Sequence, residues 1–242
     1  MFLDMHSHIL PNVDDGAKTL QNALDLLEML KEQGVTDVLA SSHFYPFKDN
    51  LDEFSVRYNA SFESLSKIAK ERNLPNLYKA CEFFYFKGMS RIENINDFTI
   101  NNTNYILIEI GAGHITNDFF EELLFLRDKR NITPIIAHIE RYCKFKNYKN
   151  LIEFVKKEKI QTQINCDSFF FFSTRKALKK LFELGIVNYI ASDTHSPDTR
   201  PPLFDKAFKY IEKKYSKNTT EMLKNNSVAF LKNLHKVTVD EF

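Results

Sequence analysis

Short runs of β-branched and aromatic residues alternate along this chain with longer stretches in which apolar residues recur every three or four positions. The short runs predict seven strands, at Phe2–His6, Asp37–His43, Leu77–Phe86, Tyr105–Ile110, Thr133–His138, Gln161–Asn165 and Asn188–Ser192. The longer stretches predict helices. Leu20, Ala23, Leu24, Leu27 and Leu30 share one face, with Thr19 placed as an N-cap and Gly34 just past the end. Phe54, Tyr58, Phe62, Leu65 and Ala69 make a second stripe, closed by Asn73 and Pro75. Further helices are predicted near Asp118–Lys129, Leu151–Lys157, Arg175–Glu183, Leu203–Lys213 and Thr220–Asn233. Alternating strand and helix favours a parallel sheet. Seven such units predict an α/β fold of the (β/α) barrel type, one domain over residues 1–242, with a doubly wound sheet as the rival.

Composition narrows the setting. The chain has 242 residues and a formal net charge of +1, so no global field draws it to nucleic acid or to an anionic membrane. No apolar run approaches the ~20 residues a membrane helix needs, and the N-terminus lacks the pattern of a secretory signal. Cys81, Cys143 and Cys166 are an odd, scattered set that fits a reducing cytosol. These features lead us to expect a cytoplasmic protein without membrane insertion. None of the cysteines has an arginine six positions on, where Lys87, Lys149 and Phe172 stand, so a thiolate phosphatase is disfavoured. Six glycines and no GxxxxGK[ST] motif exclude a P-loop.

The chemically loaded residues follow a positional rule. In a βα barrel, functional side chains gather at the C-terminal ends of the strands. His6 and His8 end the first predicted strand and His43 the second. Glu82 lies in the third, Glu109 near the end of the fourth, and His138 ends the fifth, while Asp193 and His195 end the seventh. Asp14 follows the first strand in the stretch DMHSHILPNVDDG. Imidazole and carboxylate suit Mn, Fe, Zn or Ni, and carboxylates can bridge two ions. A catalytic zinc takes about three protein ligands, so nine candidates imply two or three divalent ions. Four of the nine are carboxylates, bringing −4; two divalent ions would balance them and three would leave +2, attractive to a phosphate dianion. Paired ions can activate a water and clamp a phosphoryl oxygen. Arg141 and Arg200 lie on strand-end loops, where a guanidinium can grip phosphate with two bonds.

The stretches DMHSHILPNVDDGA, SSHFYP, AHIERY and SDTHS, with a glutamate in mid-chain, resemble the polymerase and histidinol phosphatase (PHP) superfamily. Within it they are most similar to the bacterial capsule-locus, manganese-dependent protein-tyrosine phosphatases, from Asp4 to about Arg200. That resemblance implies a distorted (β/α)7 barrel with a trinuclear cluster. It implies one ion on His6, His8, Glu82 and Asp193, a second sharing Glu82 with Glu109 and His138, and a third on Asp14, His43 and His195. It implies phosphate contacts from Arg141 and Arg200, manganese as the metal with iron or zinc as alternatives, and a phosphotyrosine protein as partner, namely a bacterial tyrosine kinase controlling capsule or exopolysaccharide synthesis. Ile139 stands where the family usually has proline, and CEFFYF around Glu82 is unusually aromatic.

Three other functions compete: a histidinol-phosphate phosphatase on the same scaffold, an amidohydrolase-like hydrolase or nuclease, and an idle metal-binding module. Among the remaining residues, His114 reads as a loop histidine and His235 as an exposed tail residue. Asp4 reads as a partner for an imidazole or a strand-start residue, Asp15 as an aid to Asp14 or a turn residue, and Phe169–Phe172 as core packing.

Overall fold

Seven parallel strands run in chain order around the molecule: β1 (Leu3–Ser7), β2 (Asp37–Phe44), β3 (Asn76–Phe84), β4 (Tyr105–Glu109), β5 (Thr133–Ile136), β6 (Gln161–Asn165) and β7 (Tyr189–Ala191). The structure, a computed structural model, describes residues 2–237. A doubly wound sheet would reverse its strand order partway across. Here each strand pairs with its successor, and β7 returns to β1. His8 N donates to the Thr194 carbonyl and Asp193 N to the His6 carbonyl, both at 2.9 Å. The Asp4 carboxylate accepts the Ser192 N–H, also at 2.9 Å, so the second residue of β1 helps to shut the barrel.

The helices are α1 (Leu20–Glu32), α2 (Leu51–Glu71), α3 (Asn117–Arg130), α4 (Tyr148–Glu158), α5 (Phe172–Glu183), α6 (Phe204–Lys214) and α7 (Lys217–Val237). Thr19 caps α1 as expected, its hydroxyl accepting the Asn22 N–H. Between β3 and β4 the chain makes three short 3-10 turns within residues 89–102 instead of an α-helix. β5 stops two residues before its predicted end, because His138 turns the chain with φ of 29°.

Two apolar sets follow from strand alternation. Val38, Ile106, Ile136, Ile164 and Ile190 face outward and pack with helix residues such as Leu27, Leu126 and Leu181. Leu3, Met5, Leu39, Leu107 and Ile135 face the lumen. Phe230, Leu231 and Leu234 of α7 join the lumen set, with the Phe230 ring 4.8 Å from Tyr105 and 5.6 Å from Tyr189. Burying each such side chain is worth about 1.5–3 kcal/mol, so α7 closes the barrel floor with an apolar stopper.

β1 does not alternate regularly. Asp4 is level with Val38, yet Ser7 is level with Ala40: three steps on β1 match two on β2. One extra residue therefore bulges from β1. Serine hydroxyls fill the interrupted ladder, with Ser7 N donating to Ser41 Oγ at 2.9 Å and Ser7 Oγ to the Leu39 carbonyl at 2.7 Å. Regular alternation would put His6 and His8 on the face opposite Leu3 and Met5. The bulge turns them inward, above the apolar lumen.

Candidate metal centre

Above that lumen the inward positions become polar. β2 passes from Leu39 to His43, β3 from Ala80 to Glu82, β4 from Leu107 to Glu109 and β7 from Ala191 to Asp193. The Glu82 carboxylate stands in the middle. Its Oε2 lies 3.2 Å from His6 Nε2, 3.3 Å from His8 Nε2 and 2.9 Å from His43 Nδ1. Its Oε1 lies 2.8 Å from His138 Nε2. Glu109 borders the same space, 3.6 Å from His43 and 3.9 Å from His138. Asp193 presents Oδ1 to His8 at 3.4 Å and to His195 at 3.5 Å.

Three imidazoles are oriented from behind. His8 Nδ1 donates to Asp14 Oδ2 at 2.7 Å, His6 Nδ1 faces Gln163 Oε1 at 3.2 Å, and His195 Nδ1 donates to the Asp193 carbonyl at 2.9 Å. With Nδ1 carrying the proton, each Nε2 keeps its lone pair for the centre, an arrangement suited to metal ligation. His6 Nε2 and His8 Nε2 come within 2.9 Å of each other. Glu82 Oε2, Glu109 Oε2 and His43 Nδ1 are buried without an aligned hydrogen-bond partner despite their short separations. Unpaired buried acceptors facing imidazole lone pairs are what a divalent cation satisfies, and the donor set fits such ions. Three groups converge closely enough to hold one: His6, His8 and Asp193; His43, Glu82 and Glu109; and His8, Asp15, His43 and His195.

The last group contains Asp15 where Asp14 is the expected member. Both Asp14 oxygens are engaged elsewhere: Oδ2 on His8 Nδ1 and the His43 N–H, Oδ1 on the Gly16 N–H. Asp14 thus holds His8 and the His43 backbone, while the neighbouring Asp15 places Oδ1 3.6 Å from His43 Nε2 and 3.5 Å from His195 Nε2. The loop can do this because Gly16 lies against His8: a Cβ there would sit 2.1 Å from the His8 carbonyl oxygen. The other eight metal candidates all meet in this one site.

Charge follows the same geometry. Burial would raise the Asp193 and Glu82 carboxyls, but His6 and its neighbours outweigh it and hold both well below the usual range, Asp193 with help from both arginines. Burial, reinforced by Glu82, pushes Glu109 up to about 7. Burial works against a charged His8, yet Asp14 keeps its pKa well above normal. A proton and a cation compete for such a nitrogen, so metal affinity falls as the pH is lowered.

Arg141 and Arg200 both reach Asp193 Oδ2, at 2.9 and 2.8 Å, on the side away from the histidines. The loop after β7 delivers Arg200 by folding back, its carbonyl accepting from His195 N at 3.1 Å and Thr194 Oγ1 at 2.7 Å. With Asp167, Phe171 and Pro201 the two arginines line a cavity of about 410 Å³ beside the centre. Asp193 therefore couples the metal donors to the guanidinium pair.

Several supports around the centre carry no motif of their own. Gln163 Oε1 accepts the His138 N–H at 2.9 Å, its amide donates to Asn165, and Asn165 donates to Asp193 Oδ2, each at 2.6 Å. Their signal was the polar alternation of QTQIN in the one strand without a ligand. Glu140 is buried, its Oε1 accepting from Ser168 Oγ at 2.6 Å and Asn165 N at 3.1 Å, and burial raises it to about 7. The Tyr45 ring stacks 4.9 Å from His43, whereas Phe44 is committed to the core. His114 is exposed at the rim, 6.2 Å from the Phe84 ring. His235 is exposed as expected, yet its Nε2 stands 2.9 Å from the Tyr78 hydroxyl. Among the described residues no helix is long and apolar enough to cross a membrane.

Comparison with known proteins places these features in a family. Residues 2–232 match the family described as capsular polysaccharide synthesis, CpsB/CapC. The chain is 32% identical to the tyrosine-protein phosphatase CpsB of Streptococcus agalactiae serotype III, over 96% of this chain and 98% of the relative. It is 30% identical to the tyrosine-protein phosphatase CpsB of Streptococcus pneumoniae, over 99% of each. Its fold superposes with a TM-score of 0.83 and 23% identity on a chain from the crystal structures of YwqE from Bacillus subtilis and CpsB from Streptococcus pneumoniae, described as unique metal-dependent tyrosine phosphatases. That match covers 96% of this chain and 94% of the other.

Proposed function

This chain belongs to the CpsB/CapC family of capsular polysaccharide synthesis, and on that premise we propose that it is a metal-dependent protein-tyrosine phosphatase. One observation carries the reading: buried carboxylates and pre-oriented imidazoles converge beside a cavity holding two arginines. His6, His8, Glu82 and Asp193 would hold one divalent ion. Glu82, Glu109, His138 and His43 would hold a second, and Asp15, His43 and His195 a third, with Glu82 reaching between the first two. Manganese is the first choice for this mixed nitrogen and oxygen donor set, with iron or zinc as alternatives.

Divalent ions held by these residues would supply Lewis acidity and would lower the pKa of a water molecule. The chain supplies the rest. Asp193 holds Arg141 and Arg200 at the cavity wall, where their remaining N–H groups face an incoming phosphate. As charge spreads over the phosphoryl oxygens, those fixed donors stabilise it without reorganising. A tyrosine leaving group, with a pKa of ~10, needs less proton assistance than an alkoxide, which suits a site whose carboxylates are mostly held ionised. The partner is a phosphotyrosine protein, in our reading a bacterial tyrosine kinase acting in capsule or exopolysaccharide synthesis, and the setting is the cytoplasm.

The test is to strip metals, restore manganese, and compare phosphate release from a phosphotyrosine peptide and from histidinol phosphate. The peptide should be strongly preferred. Preference for histidinol phosphate would keep the site and reject the substrate; silence with every divalent metal would reject the phosphatase class.

A further inference from the structure

Phe169–Phe172 has a double character. Phe169 is fully buried, but exposure climbs to 40% at Phe170, 54% at Phe171 and 90% at Phe172. One exposed apolar side chain needs no explanation; three in succession on a rim do. Phe172 opens α5, and beyond it a groove of about 650 Å³ runs between α5 and α6. Arg175, Lys176, Lys179 and Lys214 line this groove, against a single carboxylate, Glu183, which lies 3.6 Å from Lys179. On a chain whose net charge is only +1 this is a local concentration of positive charge. Tyr210, whose ring is 5.4 Å from Phe169, adds an aromatic wall.

The groove neighbours the arginine cavity. Phe171 lines the arginine cavity and Phe172 lines the groove. Leu203, at the head of α6, borders the cavity, while Tyr210 of the same helix borders the groove. A polypeptide whose phosphate sat against Arg141 and Arg200 would leave the cavity over Phe171 and enter a basic, aromatic trough.

We infer that this groove docks the residues flanking the phosphotyrosine, as an acidic segment carrying an aromatic side chain. Carboxylates of the segment would meet Lys176, Lys179 and Lys214, and its ring would lie against Phe172 and Tyr210. The inference deepens the phosphatase reading and rests on it only for the phosphate end. Charge complementarity selects the occupant: Glu183 stands beside Lys179, and a neutral apolar segment would offer nothing to Arg175, Lys176 and Lys214.

The test uses the manganese-loaded protein and the triple variant Phe172→Ser/Lys176→Glu/Lys179→Glu, whose sites are all exposed and outside the catalytic machinery. Fluorescence anisotropy with a labelled acidic, tyrosine-containing peptide lacking phosphate reads the groove alone. The variant should bind about tenfold more weakly, and added salt should weaken wild-type binding. With phosphopeptides, KM for acidic flanks should rise about tenfold in the variant, while kcat, and kcat/KM for free phosphotyrosine, stay unchanged. Equal peptide binding by the two proteins, or none by the wild type, overturns the inference. Loss of binding to phosphatidylserine–phosphatidylcholine vesicles with peptide binding unchanged also overturns it, and assigns the patch to a membrane surface. Failure of the wild type to hydrolyse any phosphotyrosine compound rejects the phosphatase reading, and the unphosphorylated peptide still decides the groove.

Discussion

The floor and the mouth of this barrel are built from the same strands by different rules. At the floor, Leu3, Leu39, Leu107 and Ile135 alternate regularly inward, and α7 closes the end with Phe230, Leu231 and Leu234. At the mouth the geometry departs from the regular: β1 bulges, and two site residues, His138 and Asp193, have positive φ values of 29° and 49°. Such backbone is costly for non-glycine residues and persists where surrounding bonds over-determine it. Here Gln163 holds His138, and the β1–β7 contacts with two arginines hold Asp193. The floor supplies stability through area buried; the mouth spends backbone regularity on aiming donors.

If that division holds, substitutions should separate cleanly by level. The largest effect belongs to Glu82→Gln at the centre of the mouth. Phosphatase activity should fall by about a thousandfold, with lower metal content and an unchanged circular dichroism spectrum; full activity would break the comparison at once. Next is Phe230→Ala at the floor, which should cost about 3–5 kcal/mol in denaturant unfolding while activity per folded molecule is retained. A variant that kept its stability but lost activity would show that the levels are not separable.

Asp14 and Asp15 sharpen the comparison within the mouth. Asp15→Asn should reduce the bound metal counted by elemental analysis, whereas Asp14→Asn should retain the ions but weaken their affinity by about 10–100-fold, as expected for a residue that orients a ligand. Reversed outcomes would restore Asp14 as the ligand. Metal addition to stripped protein should raise the thermal midpoint, and by more in wild type than in Asp15→Asn. The smallest effect is Tyr78→Phe near the floor, where a hydroxyl contacting Asp37 and His235 is lost. Stability should drop by about 1 kcal/mol, read from the urea midpoint, with kinetics untouched.

The division also explains what the sequence disclosed. The seven strands and their succession were legible because short apolar runs alternating with helical stripes write themselves into the hydrophobic pattern. Most of the centre was legible because barrel chemistry collects at strand ends, which singled out Glu82, His138 and Asp193 without coordinates. The choice between Asp14 and Asp15 is not legible in the sequence, because it depends on which way a loop turns, and that turn is set by Gly16 packing on His8, a contact without a local signature. Phe169–Phe172 was read as core because composition cannot show where a run crosses the surface; only Phe169 is fully buried.

The extra residue in β1 bears on attempts to transplant this chemistry. A designer who copied His6-x-His8 onto a regular strand, aligned by the inward methionine two positions after Leu3, would obtain two histidines pointing away from the intended pocket. The transferable unit is the bulge together with Ser7 and Ser41, the hydroxyls that repair its ladder. For this metal site the portable information lies in the strand's count of residues as much as in its ligands.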